Sequence, residues 1–362
     1  MLQASYQKHT LQFTFEAGTS RGILTERDTY YIKLWDSSNP SVFGLGECAP
    51  LQGLSIDDVP DYELQIRKVC DTINKKHLSI DNIDTLPQLV DEEYPSIVFG
   101  VETACLDLIN NGKRFLFDTP FSRGEAGIEI NGLIWMGKEE FMREQVETKL
   151  RAGYHCIKMK IGAIDFEKEC ALLESIRKYY TPEQIILRVD ANGAFTPKEA
   201  LEKLTILSQY DLHSIEQPIK QGQTGILAQL CATTPLPIAL DEELIGITTY
   251  QEKKRLLQKI KPQYIILKPS LLGGFRHCQE WIELAEQQHI GWWITSALES
   301  NIGLNAIAQF TAYLNNLIPQ GLGTGQLYHN NISSPLEIRN GFLYYNNQQS
   351  WHIEDILSFG DL

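Results

Sequence analysis

The sequence predicts an α/β protein: a modified (β/α)8 barrel, in its (β/α)7β form, carrying an α+β cap. Three observations lead there. Eight short β-rich segments begin at residues 128, 156, 185, 212, 237, 264, 291 and 319, a near-constant step of 25 to 29 residues. Helical patterns fill most of the gaps, as in 165–178, 197–207 and 274–288, which is the spacing of a closed barrel. A doubly wound sheet shares the alternation, but eight evenly spaced strands favour closure. Before residue 120 the texture differs, with strands first and helices after, the pattern of a separate α+β unit.

The elements follow in order. Residues 11–15 alternate apolar and polar, and 29–35 are β-rich, so they read as paired strands. Between them, Ala17–Gly22 reads as a small flexible loop with one cation, Arg21. A second loop, Pro50–Ser55, follows the Gly44-Leu45-Gly46-Glu47 segment. Residues 59–76 and 96–110 read as helices, the latter stopped by Gly112. The barrel strands are 128–134, 156–161, 185–190, 212–216, 237–241, 264–268, 291–296 and 319–323. Residues 328–362 are Asn-rich, hairpin-like and outside the repeat. The expected division is a cap over 1–122, a catalytic barrel over 123–327, and a segment over 328–362 returning to the cap.

Composition narrows the function. With 362 residues, 43% of them hydrophobic, the chain can bury a large core without covalent staples. Its formal charge of −14 lacks the basic surface a nucleic-acid binder needs and argues against anionic membranes. Seven cysteines, an odd number without a C-x-x-C pair, suggest free buried thiols in a reducing compartment. The polar first ten residues lack a secretory h-region, and no apolar run approaches a membrane span. A cytoplasmic enzyme is expected, and the sequence carries no signal for its oligomeric state.

The chemistry-bearing residues stand at strand ends, where barrel active sites are built. Lys158 and Lys160 in Lys-Met-Lys share one strand face. Their repulsion and partial desolvation are expected to depress at least one amine pKa. Asp190, Glu216 and Asp241 end the next three strands, so they converge on one point. Such an all-oxygen set suits a hard ion such as Mg²⁺, or Mn²⁺, and no His or Cys is present to favour zinc. A single acid there would read as a helix cap; three in succession do not. Lys268 ends the sixth strand, opposite Lys160, and Ser296, Gly323 and Thr324 offer hydroxyls or bare backbone amides at the last two. An amine pair flanking a carboxylate-held Mg²⁺ can remove a weakly acidic proton beside a carboxylate. A Schiff-base aldolase also uses a barrel lysine, but it leaves the three acids unexplained.

These motifs together (K-M-K at 158–160, D-A-N at 190–192, E-Q-P at 216–218, D-E at 241–242, Lys268, and G-L-G-E-C-A-P at 44–50) resemble the enolase superfamily, muconate lactonising subgroup. Residues 19–22, 187–190, 296–304 and 321–325 are most similar to members of that subgroup that dehydrate 2-succinyl-6-hydroxy-2,4-cyclohexadiene-1-carboxylate to 2-succinylbenzoate in menaquinone biosynthesis. The resemblance implies a cap with two closing loops, about 17–24 and 50–56. It implies Lys160 as the base, Lys268 as the charge stabilising an enediolate, and Lys158 as the neighbour contacting the substrate carboxylate. Asp190, Glu216 and Asp241 are the implied metal ligands, although Glu242 and Glu243 are acidic too. Thr19, Ser20, Arg21, Asn192, Ser296, Gly323 and Thr324 are implied substrate contacts, with Arg188, Glu242 and Glu299 supporting them. Arg188 reads either as an interior ion-pair former or as a specificity residue, and Arg21 as an exposed cation or a lid contact. The partner implied is a small anionic carboxylate. N-succinylamino-acid racemase or dipeptide epimerase chemistry is the alternative, since it uses the same two lysines. An epimerase carries acidic residues at the eighth strand, where this chain has Gly-Leu-Gly-Thr-Gly.

Overall fold

The computed structural model describes residues 1–19, 22–162 and 164–354. The chain opens with a long antiparallel hairpin, β1 (Leu2–Thr19) and β2 (Gly22–Asp36), to which β3 (Phe43–Cys48) adds a third strand. The stretch expected to be a flexible loop is instead strand up to the hairpin tip: Ala17 pairs with Leu24, Gly18 with Ile23 and Thr19 with Gly22. Backbone pairing with the opposite strand outweighs the small-residue composition, and a register shift between Gln12 and Ala17 bends the ribbon.

Two helices, α1 (Tyr62–Lys76) and α2 (Pro95–Ile109), cover this sheet. Ile32 and Leu34 of the sheet meet Ile66, Ile73, Val101 and Ala104 in one buried cluster. The approach is close because β3 carries two glycines: a Cβ at Gly44 or Gly46 would lie 1.9 Å from the carbonyl oxygen of Ala104 or Gly100. The far side of α2 faces the barrel, where Phe99 packs edge-on against Phe275 at 5.4 Å.

The segment expected to be one strand over 128–134 is two. β4 (Ile128–Glu129) leaves the barrel, and β5 (Gly132–Ile134) enters it. The chain then alternates α3 (Glu139–Arg151), β6 (Cys156–Lys160), α4 (Phe166–Arg177), β7 (Ile186–Asp190), α5 (Ala200–Leu207), β8 (Ser214–Glu216), α6 (Thr224–Thr233), β9 (Ile238–Leu240), α7 (Tyr250–Ile260), β10 (Tyr264–Leu267), the short α8 (Pro269–Leu272), α9 (Gly274–Gln287), β11 (Gly291–Ile294) and α10 (Asn301–Leu314). β5 to β11 form a seven-stranded parallel sheet in chain order. The expected eighth strand closes the ring by single bridges only, Ile130 to Gln320 and Thr295 to Gly321. Its glycines offer little side-chain packing to extend a ladder. Beyond that point Gln145 of α3 satisfies the open edge of β5, accepting from Trp135 N at 2.9 Å and donating to Trp135 O at 3.1 Å.

The tail divides its contacts. Leu327 and His329 hydrogen-bond with Thr14 and Gln12 of β1, and Ile332 joins Tyr31 and Leu45 in a buried cluster. The terminal hairpin, β12 (Leu336–Arg339) and β13 (Phe342–Tyr345), pairs with β4 beside the barrel. All seven cysteines are free and buried.

Candidate active site

Parallel register sets the site. Lys158 pairs with Arg188, while Lys160, Asp190 and Glu216 align across β6, β7 and β8. Alternation along β6 sends both lysines inward and Met159 into the outer core. A cavity of about 480 Å³ lies over these strand ends, with Lys158, Lys160, Asp190, Asn192, Lys268, Ser296, Gly323 and Thr324 on its wall. Glu216 and Asp241 are buried and off that wall.

The lysines and acids are interlocked. Lys158 Nζ bridges Glu216 Oε2 and Asp190 Oδ2, the latter at 3.0 Å. Lys160 Nζ lies 3.3 Å from Asp190 Oδ2 and donates to Asn192 Oδ1 at 2.7 Å. Lys268 Nζ is paired with Asp241 Oδ2. Asn192 sits at φ +42°, in the left-handed region that L-residues rarely occupy. That turn aims its amide both ways: its Nδ2 donates to Glu242 Oε1 at 2.9 Å. As placed, Asn192 orients Lys160, and Glu242 is linked to that lysine through Asn192.

Attraction outweighs burial at the first of the two lysines. Burial works to lower the Lys158 pKa, but Asp190, Glu216 and Asp241 outweigh it and hold the amine above its ordinary value. The repulsion between Lys158 and Lys160 therefore does not make Lys158 the depressed amine. Lys268 is raised in the same way: burial opposes its charge, and Asp241, Glu216 and Glu242 prevail. Burial would lift Asp190, yet Lys158, Lys160 and Lys268 keep its carboxyl well below the usual range. Glu216 goes the other way, pushed up by burial and by Asp190 beside it.

Because the acids are drawn to lysines, no three of them gather round one point among the described residues. Their chemistry nevertheless fits a hard divalent ion. Asp190, Glu216 and Asp241 supply only oxygens from consecutive strands, and Glu216 Oε1 is buried with no hydrogen-bond partner among the described residues. Glu243 is occupied elsewhere, accepting from Gly222 N at 3.0 Å.

Other expected residues serve different ends. Arg188 is fully buried and forms no ion pair among the described residues. Its guanidinium lies 4.1 Å from the centre of the Trp293 ring, and its Nη1 donates to Pro319 O at 2.8 Å. The aromatic face takes the place of the expected carboxylate. Glu299 is buried away from the cavity wall, accepting from Ala297 N at 2.7 Å and Ser270 Oγ at 2.5 Å. Ser296 Oγ and Thr324 Oγ1 share a 2.8 Å hydrogen bond. Thr19 ends β1, while Ser20 and Arg21 lie outside the described residues.

Sequence reasoning missed the apolar wall: Phe15, Leu133, Trp135, Ala297 and Leu298, with Leu51 and Leu54 from the cap. Phe15 packs edge-on against Trp135 at 5.5 Å. Phe15 alternation was visible, but nothing local tells which side of a cap strand will meet the barrel.

Comparison with known proteins shows the family and the fold. The enolase C-terminal domain-like family model matches residues 141–349. An o-succinylbenzoate synthase from Desulfotalea psychrophila is 46% identical, with 94% of this chain and 98% of that protein aligned. The crystal structure of MenC from the same organism superposes with a TM-score of 0.81 at 44% identity, covering 95% of this chain and 99% of that one. A dipeptide epimerase from Enterococcus faecalis, solved with Mg and a dipeptide, gives the same TM-score at 20% identity over 95% and 96% of the two chains. That second likeness is one of fold. The chain belongs to the enolase superfamily.

Proposed function

We propose that the protein is a hydro-lyase with o-succinylbenzoate synthase activity, dehydrating 2-succinyl-6-hydroxy-2,4-cyclohexadiene-1-carboxylate to 2-succinylbenzoate in menaquinone biosynthesis. The observation that carries this reading, beside the 46% identity to the Desulfotalea enzyme, is the charge of the cavity wall. Among the described residues four lysines line it, Lys149, Lys158, Lys160 and Lys268, against one acid, Asp190. Such a wall suits a carboxylate substrate and offers little to the ammonium group of a dipeptide. The global charge of −14 is the wrong scale for this question.

Lys160 removes the proton beside the substrate carboxylate, held in place by Asn192. The C–H electrons pass into the carboxylate to give an enediolate; as it collapses they form the new ring double bond, the C–O bond breaks, and Lys160 returns its proton to the departing hydroxyl as water. Lys268, four strands away round the ring and fixed by Asp241, faces the enediolate with its positive charge. Lys158 meets the substrate carboxylate. A Mg²⁺ ion held by Asp190, Glu216 and Asp241 would supply further positive charge for the carboxylate oxygens. Buried free thiols fit a reducing, cytoplasmic setting.

The test is incubation with Mg²⁺ and the cyclohexadiene, following the aromatic product by absorbance. Product at catalytic turnover supports the proposal, and no product at high enzyme concentration overturns it. N-succinylamino acids and dipeptides incubated in D₂O make the second arm. Incorporation of α-deuterium into these compounds without dehydration would replace the lyase with an isomerase.

A further inference from the structure

A buried cation of the cap, like Arg188 of the barrel, takes part in no ion pair given above. Arg27, on β2 of the cap, is 6% exposed. Its Nη1 donates to Ala297 O at 2.5 Å, and its Nη2 donates to Ala49 O. Of the two, Ala297 is on the cavity wall, and Ala49 stands two residues before Leu51, which lines it as well. Ala49 directly follows β3 and leads into the loop that brings Leu51 and Leu54 to the cavity. Ala297 lies between Ser296 and Leu298, both on the wall contributed after β11.

The barrel side of this junction is strained. Leu298 stands at φ +66°, a conformation costly for a branched side chain that persists only where its surroundings impose it. Three donors or acceptors impose it: Tyr328 OH donates to Leu298 O at 2.6 Å, Glu299 Oε2 accepts from Ala297 N at 2.7 Å, and Arg27 holds Ala297 O. Leu51, Leu271 and Ala297 form a small buried cluster with Leu54 and Leu298 packed against it, so apolar contact joins the same two segments.

We propose that Arg27 is a positioning residue that locks the cap loop after β3 to the barrel segment after β11. The two walls then meet the substrate as one piece. A planar guanidinium with two parallel donors can hold two carbonyls at once, which a point-charge ammonium does less well. Arg27 itself does not line the cavity. Its effect is on where Ser296, Leu298, Leu51 and Leu54 stand, which bears on how tightly the substrate is held rather than on Lys160 or Lys268. The kinetic part of this inference rests on the lyase reading above; the locking does not.

Arg27→Ala and Arg27→Lys test both parts. Hydrogen exchange of the substrate-free protein is the first readout. In Arg27→Ala, amides of 51–55 and 296–299 are expected to lose protection together, by at least about tenfold, with 156–160 unchanged. Protection unchanged in both segments, or lost in only one, overturns the lock. In turnover, Arg27→Ala is expected to raise KM at least about tenfold with kcat within about threefold of wild type, and millimolar guanidinium to restore part of the loss. Wild-type KM in a folded Arg27→Ala overturns the positioning role. Should Arg27→Ala fail to fold, the milder Arg27→Lys is expected to show the same two signatures in reduced degree, and their absence is equally decisive. An inactive wild type would sink the lyase reading while leaving the exchange result to judge the lock.

Discussion

Glu47 of the cap and Ser300 of the barrel are joined by two hydrogen bonds, Ser300 N to Oε1 at 2.8 Å and Ser300 Oγ to Oε2 at 2.6 Å. Gly303 N adds a third at 2.7 Å, and Thr29 Oγ1 a fourth at 2.8 Å. The carboxylate is fully buried and stands at the N-terminus of α10, where free backbone amides and the helix dipole favour negative charge. A cap residue thus completes a barrel helix, which explains why an acid follows the two close-packed glycines of β3.

Removing that carboxylate leaves buried donors unpaired. Glu47→Ala is expected to destabilise the protein by about 3 kcal/mol, and Glu47→Gln by less, since its amide oxygen still accepts from one side. Urea unfolding followed by fluorescence and circular dichroism checks this. A midpoint equal to wild type for Glu47→Ala would mean that the capping contributes nothing.

Gly46 tolerates no side chain. A methyl there would sit 1.9 Å from Gly100 O, backbone that cannot swing aside. Gly46→Ala is expected to cost at least about 3 kcal/mol, at or above the usual range for overpacking. Soluble yield and thermal melting report it, and a stable, well-expressed variant would contradict the packing of β3 on α2.

Lys160→Ala is expected to lower kcat by about 10³-fold or more with the far-ultraviolet circular dichroism unchanged. Asn192→Ala, which frees Lys160 from its hydrogen bond, should lose less, on the order of tenfold. Steady-state kinetics on both variants orders them, and near-full rate in Lys160→Ala would remove it from the role of base.

Chelation by EDTA is expected to abolish turnover, with recovery on adding Mg²⁺. Asp190→Asn should lose the calorimetric signal of Mg²⁺ binding to the substrate-free protein. Undiminished binding in Asp190→Asn, or full activity in EDTA, would exclude this acid set as the metal site.

Glu102 of α2 accepts from Phe275 N at 2.5 Å beside the start of α9, and burial pushes its carboxyl up to about 7. A carboxyl raised from an ordinary value near 4.5 stabilises the fold below that pH, because the folded state holds the proton more tightly. The stability is lost as pH rises towards 7. Glu102→Gln keeps an acceptor but cannot ionise, so relative to wild type it should gain about 3 kcal/mol between pH 4.5 and 8. Urea midpoints at four pH values check the slope, and a constant difference between the two proteins would refute it.

Most of the site was legible because strand alternation is local. Once 156–161 is a parallel strand, Lys158 and Lys160 must share a face, and acids that end successive parallel strands must fall on neighbouring ends. Pairing chemistry was not legible. Lys158 reads as the neighbour of another lysine, but Asp190 and Glu216 pair with it, and only their distances reveal that attraction wins. Arg188 likewise needed Trp293, 105 positions away in sequence, to be explained.

By itself the sequence determined the barrel, the cap, the order of the strand-end lysines and acids, and the family they resemble. Those follow from periodicity and residue type, which the chain carries from one residue to the next. Tertiary structure decided what joins cap to barrel: Glu47 on α10, Glu102 at α9, Arg27 between two carbonyls, and an apolar wall drawn from both units. It also decided that the 128–134 segment divides and that the last barrel strand is held by single bridges. The reason is common to all of these. Each is a satisfaction of buried backbone or charged groups by partners far away in sequence, and such partners exist only once the chain has closed on itself.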